Sequence, residues 1–198
     1  MNKVNRSLFD EANPEKWGYL YKIAGYATII MLIIIPIQIA IFTIFPFPDS
    51  IESWFELFNK NWILGLIHLD LFYIINNVIV AIMYLAFYFS LKKKNESLMI
   101  IALALGLLGI SAYLSSNKAF DIYYVLNGIT LIITSCVMFK SSIYSNKIAA
   151  IGLFSGVLMM IPSTAGTMGL IFSLASLVPW IVFAILVSIK FLQLSNLK

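Results

Sequence analysis

Residues 68–77, "HLDLFYIINN", set His68, Asp70, Asn76 and Asn77 in a stretch whose other members are mostly apolar. An imidazole, a carboxylate and two carboxamides are groups that move protons or hold polar ligands. What each can do depends on where a helix turns it. At about 100° per residue, Asp70, Tyr73, Asn77, Ala81, Tyr84 and Tyr88 share one narrow stripe, while His68 and Asn76 lie elsewhere. His68 and Asp70 stand about 200° apart on such a helix and form no facing acid–base pair. A second stripe joins Tyr123, Asn127, Thr130 and Thr134, with Asp121 and Tyr124 on another side near the start of that segment. The third cluster is "PSTAGT", residues 162–167, where Ser163, Thr164 and Thr167 surround a proline and a glycine. Such a composition lets backbone amides and carbonyls face a cavity, and it equally suits a tight turn.

The elements that must carry these groups are membrane helices. The chain is 61% hydrophobic and 11% charged, with a mean hydropathy of +0.95, outside the range of soluble domains. Its net charge of +4 is scattered at the ends of apolar runs, which points to membrane orientation and away from nucleic acid. A span needs about 20 mostly apolar residues. That criterion predicts an all-α, polytopic bundle of six spans with short loops, over residues 22–45, 62–91, 97–115, 120–139, 148–163 and 167–190. The domain division is a juxtamembrane segment over 1–21 and one six-helix domain over 22–198. The fifth span is the shortest, being uniformly apolar only to Ile161 before Pro162.

With both termini cytoplasmic, Lys3, Arg6, Lys16, Lys22, Lys92, Lys93, Lys94, Lys140, Lys147, Lys190 and Lys198 fall on the inner side, and Lys60 and Lys118 outside. This positive-inside balance places the chain across the cell (inner) membrane, with no cleaved signal expected. Asn13 is the expected cap of a lead-in helix with Pro14 at its first position. In the first outer loop Ile51, Trp54, Phe55 and Phe58 recur at helical spacing after a cap at Asp49. They predict a short amphipathic helix, on the outer leaflet or packed as a lid on the bundle. Gly106 with Gly109 and Gly152 with Gly156 read as close-packing faces, and Pro36 and Pro179 as kinks.

An ionisable group within a span ordinarily faces the bundle interior or trapped water. Asp70, Tyr73, Asn77, Asp121, Tyr124, Ser163, Thr164 and Thr167 therefore form the expected ligand-binding set in the outer third of the bundle. Each has a plain structural reading too. Asp70 would be hydrated or cap a neighbouring helix, Asp121 suits a helix N-terminus, and the Asn and Thr stripe would bond helix to helix. No phosphate loop, dinucleotide fingerprint, HExxH pair or nucleophile elbow is present. With one histidine and one cysteine, Cys136, no catalytic residue, metal or cofactor is expected.

Three passages carry a family resemblance: "NNVIVAIMYLAFYFSLKK", "FDIYYVLNGI" and "GVLMMIPSTAGTMGLIFSLASLVPWIVFAIL". Over residues 25–192 the chain resembles a family of prokaryotic multipass membrane proteins with no assigned function. The resemblance rests on Asp70 with Asn76 and Asn77, Tyr123 and Tyr124 before Gly128, and residues 162–167 followed by Pro179 and Trp180. It implies a six-helix bundle and no activity. Family members carry a longer insertion where this chain has only "SSNKAF".

The leading expectation is a bundle with an outward-facing polar pocket for a small molecule or lipid, as a transporter-like or accessory protein. A second is a non-catalytic scaffold that meets membrane-protein partners, or a second copy of itself, through its glycine faces and aromatic surface. A third is an intramembrane hydrolase using Ser163 or Ser116 with His68.

Overall fold

A computed structural model describes residues 9–115, 120–162 and 164–197. Among the described residues a helical segment at 9–12 is followed by eight helices, with no strand. They are α1 (Pro14–Ile44), α2 (Ile51–Lys60), α3 (Trp62–His68), α4 (Leu71–Leu91), α5 (Glu96–Ser115), α6 (Phe120–Met138), α7 (Asn146–Leu158) and α8 (Gly166–Ser195). Five of them, α1, α4, α5, α6 and α8, are long and apolar enough to cross a membrane. By length and composition this is a membrane protein.

The predicted boundaries need correction in several places. The fifth predicted span is a helix of only 13 residues, about 20 Å at the α-helical rise, short of a bilayer's hydrocarbon. Met159, Met160, Ile161 and Pro162 continue it as non-helical chain. The second predicted span is broken. α3 ends at His68 and α4 begins at Leu71, because Asp70 adopts the left-handed conformation (φ 65°, ψ 20°) that ends a helix. Asn13 is also left-handed (φ 47°) and makes no side-chain cap, although Pro14 does take the first helical position. α1 absorbs the lead-in, so residues 14–21 are its first two turns. α2 is capped by Ser50, not Asp49, in a reciprocal box with Ser53.

α1 lies along α8 and α4, α5 lies against α6 and α4, and α7 sits against both α6 and α8. The glycine faces make these approaches close. A Cβ on Gly106 would fall 2.4 Å from the Tyr84 ring, one on Gly152 2.5 Å from Ser135 Oγ, and one on Gly156 2.9 Å from the Gly128 carbonyl oxygen. One on Gly109 would meet Asn127 Nδ2 at 3.0 Å, so all four predicted glycines pack against other helices of the chain. Outward faces are aliphatic: Ile74, Val78 and Leu85 of α4 are exposed while Asn77, Met83 and Phe87 of the same helix are buried. Hydrocarbon accepts the first set and penalises unpaired polarity in the second.

Polar ties gather at one end. Glu11, 6% exposed, accepts hydrogen bonds from Ser141 Oγ, from Ser142 N at 3.2 Å and from Ser142 Oγ at 2.6 Å. Lys94 Nζ lies 3.1 Å from its carboxylate. Lys93 donates to the Asp10 carbonyl, and Lys92 sits over aromatic rings, 4.9 Å from the Phe89 centroid and 5.7 Å from that of Trp17. Ser90 Oγ and the Tyr144 hydroxyl are 2.9 Å apart. Gly18 of α1 faces the Ser195 backbone of α8. The segment before α1, the lysine triplet, the α6–α7 loop and the C-terminal end of α8 thus share one end of the bundle.

Candidate functional site

A cavity of about 370 Å³ opens between α1, α4, α6 and α8. α1 and α8 touch toward the lysine end, where Gly25 admits Leu192 and the Ser188 carbonyl. Farther along, the same two helices form facing walls. Met31, Ile35 and Phe42 stand on one, and Leu177, Trp180 and Phe183 on the other. The wall from α4 brings Tyr73, Asn76, Asn77 and Tyr84, and α6 brings Tyr123, Tyr124 and Asn127. None of the described lining residues is charged. Two of them, Ile39 at 55% exposure and Leu174 at 58%, stand at the protein surface on α1 and α8.

Side-chain polarity here is mostly paired, as burial in an apolar setting requires. Tyr84 donates to Asn127 Oδ1, and Asn127 Nδ2 donates to the Tyr123 carbonyl at 2.6 Å. Tyr124 is bonded to Ser176 Oγ and to the Ser173 carbonyl, the latter at 3.0 Å, which holds α6 to α8. Thr130 Oγ1 reaches the Ala102 carbonyl at 3.2 Å and ties α6 to α5. The second stripe therefore does serve helix-to-helix bonding.

The expected site residues separate into three places. Tyr73, Asn77 and Tyr124 line the cavity. Asp70 lies instead in a shallower recess of about 590 Å³ with Phe47, Trp54, His68, Leu69 and Tyr113. Tyr73 borders both spaces. Thr164 donates to Asp121, joining the turn before α8 to the start of α6. Thr167 is exposed in the first turn of α8, and Ser163 lies outside the described residues. Among the described residues Asp121 and the turn are thus joined to each other, and Asp70 lines the recess.

His68 also departs from expectation. It is 3% exposed, with Nδ1 2.9 Å from the Leu64 carbonyl and Nε2 3.0 Å from that of Phe45. The ring fastens α3 to the end of α1, with a backbone carbonyl against each of its two nitrogens. The serines of the hydrolase reading, Ser116 and Ser163, both lie outside the described residues. Asp70 is where it is because Asp tolerates a positive φ better than most residues. Asp70→Val is expected to be about 1–3 kcal/mol less stable than Asp70→Gly, since both lose the carboxylate and only glycine accepts the positive φ freely. Thermal unfolding of both variants checks this, and equal effects would show that the backbone at Asp70 carries no strain.

Gln38, Asn76, Tyr84, Asn127 and Trp180 are lining residues that sequence reasoning did not place in the site. Asn127 and Tyr84 stood on the two stripes, so their burial was readable. That Gln38 of α1 would meet Asn76 of α4, with Nδ2 to Oε1 at 3.5 Å, depends on a helix pairing no local pattern encodes. Comparison with protein-family models, curated proteins and solved structures returned no match.

Proposed function

We propose that this chain is a six-crossing protein of the cell membrane, both termini cytoplasmic, whose cavity binds a small amphipathic molecule or lipid in a transport-like or accessory role. The observation that carries the reading is the cavity itself. Its volume is that of ordinary ligand sites, and its walls are apolar with a few convergent polar groups. The exposed Ile39 and Leu174 give it a border on the hydrocarbon through which an apolar chain can enter sideways. The recess at Asp70 supplies a polar mouth behind Tyr73.

Six crossings are favoured by two contacts that α7 connects. Ser141 and Ser142, before it, meet Glu11 at the lysine end, and Thr164, after it, meets Asp121 at the start of α6. With the lysine triplet and the segment before α1 at the same end, the positive-inside rule assigns that end to the cytoplasm. α2, with Ile51 and Phe55 exposed, then rests on the outer leaflet. A bilayer, a ligand and a membrane-protein partner or second copy are the partners of this reading.

Val80 lines the cavity, so Val80→Phe narrows it. The variant is expected to insert and to match or exceed the wild type in thermal stability. It should lose the stabilisation that members of a lipid and solute screen give the wild type. Equal ligand-induced shifts in both proteins would remove the cavity as the binding site.

A further inference from the structure

We infer that the cavity selects an uncharged amphiphile whose head donates a hydrogen bond, a long-chain alcohol in the simplest form, read by Asn77 with Asn76. This rests on the cavity being a ligand site and names what that site takes. Asn77 is 2% exposed, and its orientation is fixed. Its Nδ2 donates to the Tyr73 carbonyl at 2.9 Å, and the flipped amide would set two acceptors against each other. Oδ1 is thereby the group left over, buried and without a hydrogen-bond partner. Asn76 adds a second such oxygen: its Nδ2 is directed at Gln38 Oε1 at 3.5 Å and its Oδ1 is likewise buried and unpartnered. Both residues line the cavity.

Two orphaned carbonyl-type oxygens in an apolar chamber are costly unless something donates to them. The hydroxyls of Tyr84 and Tyr124 are already committed to Asn127 and Ser176. An acceptor-only head, such as an ether or a carboxylate, leaves the amide oxygens unserved. A carboxylate is doubly disfavoured, since no described lining residue carries a positive charge. A hydroxyl satisfies both demands, and its alkyl chain fits against Met31, Leu177 and Phe183.

The test uses the full chain in phosphatidylcholine nanodiscs, with dodecanol, dodecyl methyl ether and laurate as probes and thermal stabilisation as the readout. Dodecanol should reach its midpoint at about tenfold lower concentration than the ether, with laurate weakest. Asn77→Leu should bring dodecanol and ether to the same midpoint while leaving the empty protein as stable as before or more so, and Asn76→Leu should narrow the gap. Equal midpoints in the wild type, with binding lost in Val80→Phe, would overturn the donor-head selectivity and keep the cavity as a ligand site. That is also the outcome if water serves the two oxygens. No shift with any probe would overturn the site itself.

Discussion

Replacing Gly156 with valine should cost about 3 kcal/mol or more of folding free energy, the largest effect expected of any single substitution here. A Cβ at this position would sit 2.9 Å from the Gly128 carbonyl oxygen, 3.1 Å from Ile132 N and 2.8 Å from Ile132 Cγ1. Two of those three atoms belong to the backbone of α6 and cannot rotate away. Gly128 is crowded in return, since its own Cβ would meet the Gly156 carbonyl at 3.1 Å. Relief therefore requires α7, a helix of 13 residues, to move off α6. Gly18→Ala is the matched control, because the nearest atom there is an ordinary 3.6 Å away. Denaturant unfolding in mixed micelles measures both. If Gly156→Val stays within about 0.5 kcal/mol of wild type, the two helices are not in the contact described.

Glu11→Ala should be the second most damaging change, by about 2–4 kcal/mol. The carboxylate is nearly buried and collects Ser141, Ser142 and Lys94 from two different turns of the chain. Its removal leaves Ser142 N without its acceptor and frees the α4–α5 turn from the α6–α7 loop. Lys94 is partly exposed and regains water, so the loss stays below that of a fully buried pair. Glu11→Gln keeps an acceptor and should lose roughly half as much. Thermal unfolding of the three proteins orders them, and equal stability of Glu11→Ala and wild type would mean that the clasp does not hold the bundle.

Much of the helical framework is legible because hydrocarbon imposes a simple rule. Long apolar runs locate α1, α4, α5, α6 and α8, and a 100° wheel finds which side of α4 carries Tyr73, Asn77 and Tyr84 inward. What the wheel misses is any event carried by one residue. Asp70 ends α3 through its backbone angle, and the sequence around it reads as continuous helix. α7 ends at Leu158 although Met159, Met160 and Ile161 are as apolar as the turns before them, because Pro162 follows and the chain must reach Thr164 beside Asp121.

The site was legible only in part, for a different reason. Tyr73, Asn77 and Tyr124 reach the cavity from helices whose polar faces could be read one at a time. Gln38, Ser176 and Trp180 complete it from helices far apart in the chain, and their meeting is a property of pairing. Glu11 stands near the N-terminus among charged neighbours and looks like solvated surface, whereas its burial depends on a loop 130 residues away.

The crossing of α1 and α8 at Gly25 has a mechanical consequence. Two stiff rods that meet near one tip act as tweezers: over the 14 residues from Gly25 to Ile39, about 20 Å of helix, a few degrees of pivot becomes a gap of an ångström or more between the blades. The close approach at Gly25, where Leu192 and the Ser188 carbonyl occupy the space a side chain would take, fixes where that pivot lies.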